Sequence, residues 1–415
     1  MKLASTISWS VLATLIRLAN GFVLIKVVAL LAGPLGVALI GQFGDFNSIV
    51  MALALGGISS GVIKYTSQYK DNYDELSKIW QTAVWVSITL SIPVIIVLLV
   101  FHNWLAQEFL HDVQYGSILV VFAFSLGFYV VNNLLLNILN GLHEIKQFNT
   151  LSILNSILGL LITIALVYQY KVYGALLAMV TSQSIALFII VFFVRNQAWF
   201  QLSHFCGKFD KYYFKKLLSF TVMSLTLICV VPLSQMFVRG YLASKTSWNT
   251  AGYWQGLQKI SDAYLMIVCT ALGTYLLPKL ARLQTREEIG EELSGSYKLV
   301  MPFVIVIAVV IYCLRDFIIQ LLFAKSFGAM RDMFFWQLLG DCFKIASYVL
   351  AYLMLARVKT KLFMITTIIW GVSFSFLSYL FINVVGADGA VIAFALSYMM
   401  YFLLFVFLYR KGWLF

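Results

Sequence analysis

Apolar residues along this chain neither alternate with polar ones nor recur every third or fourth position; they come in unbroken runs of about 20 residues, the length that crosses a bilayer as a helix. Such runs fall at roughly 5–31, 37–63, 80–101, 115–140, 149–169, 173–194, 215–243, 250–278, 299–323, 332–356, 361–383 and 388–409. Twelve spans follow. Only helices and closed barrels satisfy every backbone polar group in lipid, and continuous runs, unlike the ten-residue alternation of barrel strands, select helices. The pattern predicts an all-α integral membrane protein. The first run is too long for a signal-peptide core, carries Arg17 and Lys26, and lacks a small-residue cleavage site, so it reads as a retained span.

Composition agrees and adds a direction. The chain is 62% hydrophobic and 11% charged, with a formal net charge of +12. With the amino terminus inside, the cytoplasmic segments, from Lys2 to Arg410 and Lys411, hold 19 Lys and Arg against 5 in the opposite loops, which puts both termini in the cytoplasm. The basic excess is therefore a topology signal and gives no reason to expect nucleic acid. The five cysteines are scattered and the four histidines sit in loops without metal-ligand spacing, so neither a disulfide framework nor a metal or other cofactor site is expected. A membrane enzyme would need a sizeable external loop or a His, Asp and Arg cluster at one face, and neither is visible. In the connection at 203–217, Lys208, Lys211 and Lys215 would share one face of an interfacial helix while Phe205, Phe209 and Tyr212 dip into lipid; a solvated linker is the equally open alternative.

The chain also repeats. "GALLAMVTSQSIALFIIVFFVR" at 174–195 lies over "GAVIAFALSYMMYFLLFVFLYR" at 389–410, an offset of 215, with identities at Gly174, Ala175, Ala178, Ser182, Val191, Phe192 and Arg195. "DELSKIW" at 74–80 pairs with "EELSGSY" at 291–297, and Lys64 with Lys279. The expected organisation is a six-helix lobe at 1–200, a cytoplasmic connection at 201–216 and a second six-helix lobe at 217–415. Because six is even, the lobes should be related by an axis along the membrane normal, an arrangement suited to transport by alternating access.

Eight charges remain inside the spans: Arg17, Lys26, Arg239, Lys259 and Lys344 against Asp45, Asp262 and Asp341. A charge at a helix centre costs about 2.5–3.5 kcal/mol on insertion scales, so these should face protein or water. Lys259 with Asp262, and Asp341 with Lys344, stand at i,i+3 and could neutralise each other within their helices. A lined cavity is the other reading. Gln337, Asp341, Lys344, Tyr348 and Tyr352 form one polar stripe; Gln255, Lys259 and Asp262 form another, and Asn133, Asn137, Asn140 and Glu144 a third. At the repeat offset Tyr348 falls on Asn133 and Tyr352 on Asn137. Five cations against three carboxylates favour an anionic cargo such as a phosphorylated head group. Arg17 and Lys26 are half a turn out of phase unless Asn20-Gly21 bends their helix. Asp45 has no partner at helical spacing, which makes it a candidate titrating group, with pairing to Arg17 or Lys26 the alternative.

"GVIKYTSQY" at 61–69, "GYWQGLQKISDAYL" at 252–265 and "AMRDMFFWQLLGDCFKIASYVLAYL" at 329–353 resemble the Wzx flippases of the multidrug/oligosaccharidyl-lipid/polysaccharide exporter superfamily, most closely the enterobacterial branch for O-antigen or enterobacterial common antigen units. The resemblance covers nearly the whole chain. It implies an inner-membrane flippase that moves an undecaprenyl-pyrophosphate-linked oligosaccharide to the periplasmic leaflet through a V-shaped pair of lobes with a cationic lumen, driven by H+ or Na+. It also implies membrane lipid and a glycan polymerase with its chain-length regulator as partners. Arg17, Lys26, Arg239, Lys259 and Lys344 would hold the substrate; Asp45, Asp262 and Asp341 would relay the ion. Asp45 in "QFGDF" and Lys259 in "LQKIS" depart from the branch and either tune the glycan accepted or pair with each other. The alternative is a cation-coupled multidrug exporter of the same superfamily, which would want a net acidic cleft.

Overall fold

The computed structural model describes residues 3–414, with their side chains apart from those of 3–11, 219, 220, 222, 223 and 227; Lys2 lies outside. Every regular element within that range is helical. The long helices are α1 (Leu3–Leu31), α2 (Gly33–Leu55), α4 (Tyr73–Val100), α5 (Gly116–Gly141), α6 (Ile145–Val194), α7 (Lys211–Lys245), α8 (Trp248–Arg282), α9 (Arg286–Cys313), α10 (Phe334–Ala356), α11 (Thr360–Val385) and α12 (Gly389–Arg410), with a short α3 (Ser59–Gln68) after α2. Ten stretches are long and apolar enough to cross a membrane; two of them, Ile145–Val194 and Thr360–Arg410, have 50 and 51 residues, enough for two crossings each. The architecture is thus consistent with twelve spans. Outward faces are apolar, as lipid requires: Phe124 is 71%, Leu299 74% and Val384 82% exposed.

Boundaries depart from the hydropathy reading where caps and turns intervene. The second run, expected to continue to 63, ends at Leu55 because Gly56 and Gly57 follow with φ of 61° and 62°, a left-handed pair that closes the helix. At Gly57 there is a second reason, since a Cβ there would lie 3.1 Å from the Thr221 carbonyl oxygen of α7. Helix α4 starts seven residues before the expected 80, where the Asn72 side chain accepts from Glu75 N. Helix α9 starts at Arg286, behind a capping box in which Thr285 and Glu288 satisfy each other's backbone N–H, and it breaks at Cys313. Polar first turns outside lipid leave no trace in hydropathy.

The 203–217 connection is neither a continuous interfacial helix nor a free linker. One turn of helix, Leu202–Phe205, is followed by non-helical residues to Asp210 and then by α7, so Lys208 is not on the helix that carries Lys211 and Lys215. The segment is tied to α4: Trp85 Nε1 donates to Gly207 O at 2.8 Å, Gln81 Nε2 to Ser203 O at 3.0 Å, and Phe205 stacks on Trp80 at 5.6 Å.

Two compact units emerge, one of 1–32 with 42–232 and one of 33–41 with 233–415. The boundary falls inside α7 at Pro232 rather than at 201–216, and the first turns of α2 belong to the second unit. A Cβ on Gly252 of α8 would lie 2.0 Å from the Pro34 carbonyl oxygen, so only glycine permits that approach.

Within each unit the repeat recurs as contacts at the same offset of 215. A Cβ on Gly174 would fall 2.0 Å from the Leu166 carbonyl oxygen, and one on Gly389 2.5 Å from that of Phe381. Helix α6 breaks at Lys171 (φ 49°, ψ −124°), and α11 ends at Gly386 (φ 70°, ψ −124°). Helices α5 and α10 both end on a left-handed residue, His143 (φ 61°) and Val358 (φ 55°). The following amides close the same turn, Glu144 N to Leu139 O at 3.1 Å and Lys359 N to Met354 O at 2.9 Å. Asn132 Nδ2 donates to Gln183 Oε1 at 3.2 Å, and at the equivalent place Ser347 Oγ donates to Tyr398 O at 3.5 Å.

Candidate functional site

In the second unit, α10 lies against α8 and α12 and carries its polar stripe inward at one end. Gln337 and Asp341 are buried, while Lys344, Tyr348 and Tyr352 are partly exposed. Asp341, fully buried, does not rest on Lys344. Its Oδ2 accepts from Ser261 Oγ at 2.6 Å and Tyr264 OH at 2.7 Å, both on α8, and its Oδ1 from Gln337 Nε2 at 3.4 Å. Gln337 Nε2 also donates to Ser261 Oγ at 3.2 Å, while Gln337 Oε1 is a buried acceptor without a hydrogen-bond partner. The arrangement is a closed carboxylate knot with one spare oxygen.

Lys344 turns to the neighbouring helix instead. Its Nζ stands 4.0 Å from Asp262 Oδ1 and 5.8 Å from the centre of the Tyr398 ring. The Lys344 side chain is 14% exposed and that of Asp262 52%, so this pair opens on the exposed side of the knot. Neither i,i+3 neutralisation forms: Asp262 is paired with Lys344, and Lys259, exposed one turn away on α8, has no ion pair among the described residues. The stripe of Gln255, Lys259 and Asp262 also divides, since Gln255 is buried and the other two are exposed. Helix α8 has two polar faces, with Ser261 and Tyr264 toward α10.

Arg239, expected among the substrate cations, is 1% exposed; its Nε and Nη2 both donate to Gln255 Oε1, at 3.0 and 2.6 Å, and its guanidinium lies 5.6 Å from the Trp254 ring centre. It braces α7 on α8 and presents no free face. Tyr352 OH donates to Cys269 O at 2.9 Å, which gives it a structural bond as well as a place on the stripe.

In the first unit, α1 runs through Asn20-Gly21 without a break, so Arg17 and Lys26 stay on opposite sides. Arg17 is exposed and folds back on its own helix, Nε to Ala13 O and Nη2 to Thr14 Oγ1, each at 3.3 Å, whereas Lys26 and Asp45 are half-buried. The α5 stripe is made of neutral amides: Asn137 Nδ2 donates to Asn133 Oδ1 at 2.9 Å, and Asn140 is half-buried. Asn20 Nδ2 donates to Ser156 Oγ at 3.0 Å and Asn47 Nδ2 to Tyr129 OH at 3.4 Å, tying α1 to α6 and α2 to α5. Counting charges missed Ser261, Tyr264, Asn20 and Asn47; the available signal was the i,i+3 spacing of Ser261 and Tyr264 inside "ISDAYL". Among the described residues, no three His, Cys, Asp or Glu side chains gather to hold a metal.

Comparison with known proteins follows the same lines. Residues 3–284 match the family described as "Polysaccharide biosynthesis protein". The chain is 30% identical over 407 residues, 97% of each chain, to the Lipid III flippase of Escherichia coli (strain K12), and 22% identical over 282 residues to a putative O-antigen transporter of Shigella flexneri, covering 67% of this chain and 64% of that one. Among solved structures it resembles the inward-facing conformation of a multidrug resistance MATE family transporter of the MOP superfamily, with a TM-score of 0.73 and 16% identity over 96% of this chain and 94% of that one. At that identity the likeness concerns the fold.

Proposed function

We propose, because this chain belongs to the polysaccharide biosynthesis protein family, that it is a flippase carrying a polyprenyl-pyrophosphate-linked oligosaccharide of O-antigen or enterobacterial common antigen type from the cytoplasmic to the periplasmic leaflet of a bacterial inner membrane. It is a multi-pass membrane transporter, and its chemistry is movement rather than bond making. The observation that carries the reading is the identity with a Lipid III flippase across 97% of both chains.

The second unit supports a division of labour. Lys344 pairs with the exposed Asp262, and Lys259 is exposed one turn away on α8; a phosphate entering there displaces the 4.0 Å carboxylate and draws both ammonium groups. Asp341 sits behind as the coupling group. Its hydroxyl donors and the spare Gln337 oxygen suit it to take a proton, or to hold a sodium ion among oxygen ligands, once per cycle. Both termini face the cytoplasm, and a polymerase and chain-length regulator act on the delivered unit; co-purification from cells tests those partners.

The test is complementation. In cells that make the lipid-linked glycan but lack their own flippase, the native gene restores surface glycan and leaves drug susceptibility unchanged; a drug phenotype without glycan export overturns the reading. Lys344→Ala lowers export about ten- to hundredfold if the pair holds phosphate, the equivalent of losing one charge-assisted contact of about 1.5–3 kcal/mol. Wild-type export by that variant removes Lys344 from the mechanism.

A further inference from the structure

A cavity of about 440 Å³ lies in the first unit where α2 ends and α7 begins, away from the charged stripes. Its walls are Leu53, Gly56 and Ile58 of the α2–α3 turn, Trp85, Val86, Thr89 and Leu90 of α4, Phe209 of the connection, and Phe214, Leu218, Thr221 and Leu225 of α7. The volume falls in the range of about 300–1,000 Å³ typical of ligand cavities. Only two threonines interrupt the apolar lining. The cavity is shaped by backbone as much as by side chains: the left-handed Gly56-Gly57 turn sets one wall, and the Trp85 to Gly207 hydrogen bond holds the loop bearing Phe209 over another.

What fits it is set by its mouth. Phe214, Leu218, Thr221 and Leu225 are spaced i, i+4, i+7 and i+11, one stripe of α7, and Lys211 and Lys215, at i and i+4, run along the edge of that stripe beside Phe214 and Leu218. Both lysines are exposed, as is Lys208 beside Phe209, so three cations gather within eight residues next to an apolar cavity, while Lys216 turns away onto the Tyr65 and Tyr69 rings at the end of α3. From Lys211 to Leu225 the helix rises about 21 Å, from the interface well into the hydrocarbon. The excess of basic residues on this side makes it the cytoplasmic face. A ligand matching these features has an apolar chain joined to a head with more than one negative charge. A diacyl phospholipid such as phosphatidylglycerol carries a single phosphodiester charge there, whereas a polyprenyl diphosphate carries several charges and an unsaturated, branched chain suited to the Trp85, Phe209 and Phe214 rings.

We propose that this cavity binds the first isoprene units of the lipid-linked substrate in the cytoplasmic leaflet, with its phosphates on Lys211 and Lys215, as a loading site used before translocation. The proposal rests on the flippase reading and adds where that substrate is first held. The probe is undecaprenyl phosphate, offered to the purified full-length protein against phosphatidylglycerol and read by native mass spectrometry. Thr221→Phe, which fills the cavity, and the double variant Lys211→Gln with Lys215→Gln, which strips the mouth without touching the wall, should each lower undecaprenyl phosphate retention about tenfold and leave phosphatidylglycerol retention unchanged. Retention at the native level in both, or equal loss of both lipids, overturns the proposal, the second outcome marking a bulk-lipid site. Since a filled cavity can disturb packing, the lysine double variant, confined to exposed side chains, carries the decision if Thr221→Phe does not fold. Complementation separates the two readings: failure of the native gene to restore glycan sinks the flippase reading, whereas equal restoration by native and double-variant genes under limiting substrate supply sinks the loading site alone.

Discussion

Replacing Asp341 tests whether the knot between α8 and α10 is a satisfied network, and the outcome depends on what replaces it. The carboxylate takes two short hydroxyl bonds, from Ser261 and Tyr264, and a long, weak one from Gln337 at 3.4 Å that adds little to them. Two bonds to a charged acceptor at about 1.5–3 kcal/mol each put about 3–6 kcal/mol at stake. Asp341→Ala loses both and leaves buried hydroxyls unpaired, which places it among the severe core substitutions. Asp341→Asn keeps an acceptor where Oδ2 stood, so both hydroxyl bonds survive at the neutral value of about 0.5–1.5 kcal/mol each. Its new amide N–H meets Gln337, whose side chain can turn its unpartnered Oε1 toward it. The Asn variant should therefore lose about half as much stability as the Ala variant, with Ser261→Ala and Tyr264→Phe falling between it and the native protein. Thermal unfolding of detergent-purified protein, followed by loss of the monodisperse species, ranks the four. If Asn is as destabilising as Ala, or Ala is harmless, the hydrogen-bond account of this knot is wrong. A stable Asn variant that no longer exports glycan assigns Asp341 to coupling, since its geometry is retained and only its charge is gone.

Three further outcomes follow from the backbone. Val358 is β-branched and left-handed, so Val358→Gly should gain about 1 kcal/mol in thermal unfolding, and Lys171→Gly a similar amount at the α6 break, where the other lobe already has Gly386. Gly174→Ala and Gly389→Ala should each cost about 1–3 kcal/mol or more, because the added methyl meets backbone rather than a movable side chain; a neutral result at either would show that the helix pair opens freely. Thr285→Ala should cost about 0.5–2 kcal/mol by removing the α9 cap. The Thr285 backbone N–H holds the Glu288 carboxyl below its ordinary value, so its contribution is present above the unfolded value and fades as pH falls through the lower folded one; the Glu288→Gln protein, with no carboxyl to protonate there, should lose less stability on acidification than the native one.

Much of the fold was legible because lipid enforces it. Length and continuity of apolar runs give spans, and the ten apolar stretches of the structure, two of them long enough to cross twice, are consistent with the twelve expected. The left-handed pair at Gly56-Gly57 was legible too, as a Gly-Gly dipeptide, yet hydropathy averaged over it and joined α2 to α3. The repeat was visible in seven identities, and the contacts of Gly174 and Gly389 explain one of them: both residues face backbone that leaves no room for a side chain. His143 and Val358 could not be read as equivalent, because the shared feature is a backbone angle that histidine tolerates and valine resists, so residue type does not signal it. Charges were a poorer guide to the site. Spacing along one helix paired Asp341 with Lys344, but hydrogen bonds across helices decide partners, and two hydroxyls from α8 took the carboxylate first. Arg239 counted as a binding cation by residue type alone, and burial against Gln255 and Trp254 turned it into a brace.

The two lobes keep the same frame and fill it with different chemistry. Where Asn132 donates to Gln183, the second lobe has Ser347 on the Tyr398 carbonyl; where the α5 stripe carries Asn133 and Asn137, α10 carries Tyr348 and Tyr352 beyond Lys344 and Asp341. Amides that bond to one another can exchange those bonds for sugar hydroxyls at little net cost, because donors and acceptors are replaced in kind. Charges cannot be exchanged so freely: Lys344 leaves Asp262 only for another anion, and Asp341 leaves its hydroxyls only with its charge neutralised. Specificity for the glycan should therefore follow substitutions on α5, and dependence on phosphate and ion those on α10. Asn137→Ala should change which repeat unit is exported while the dependence of export on the ion gradient stays as in the native protein. Lys344→Ala should depress export of every repeat unit alike. Equal effects of the two substitutions across a panel of glycans would mean that the lobes do not divide the work.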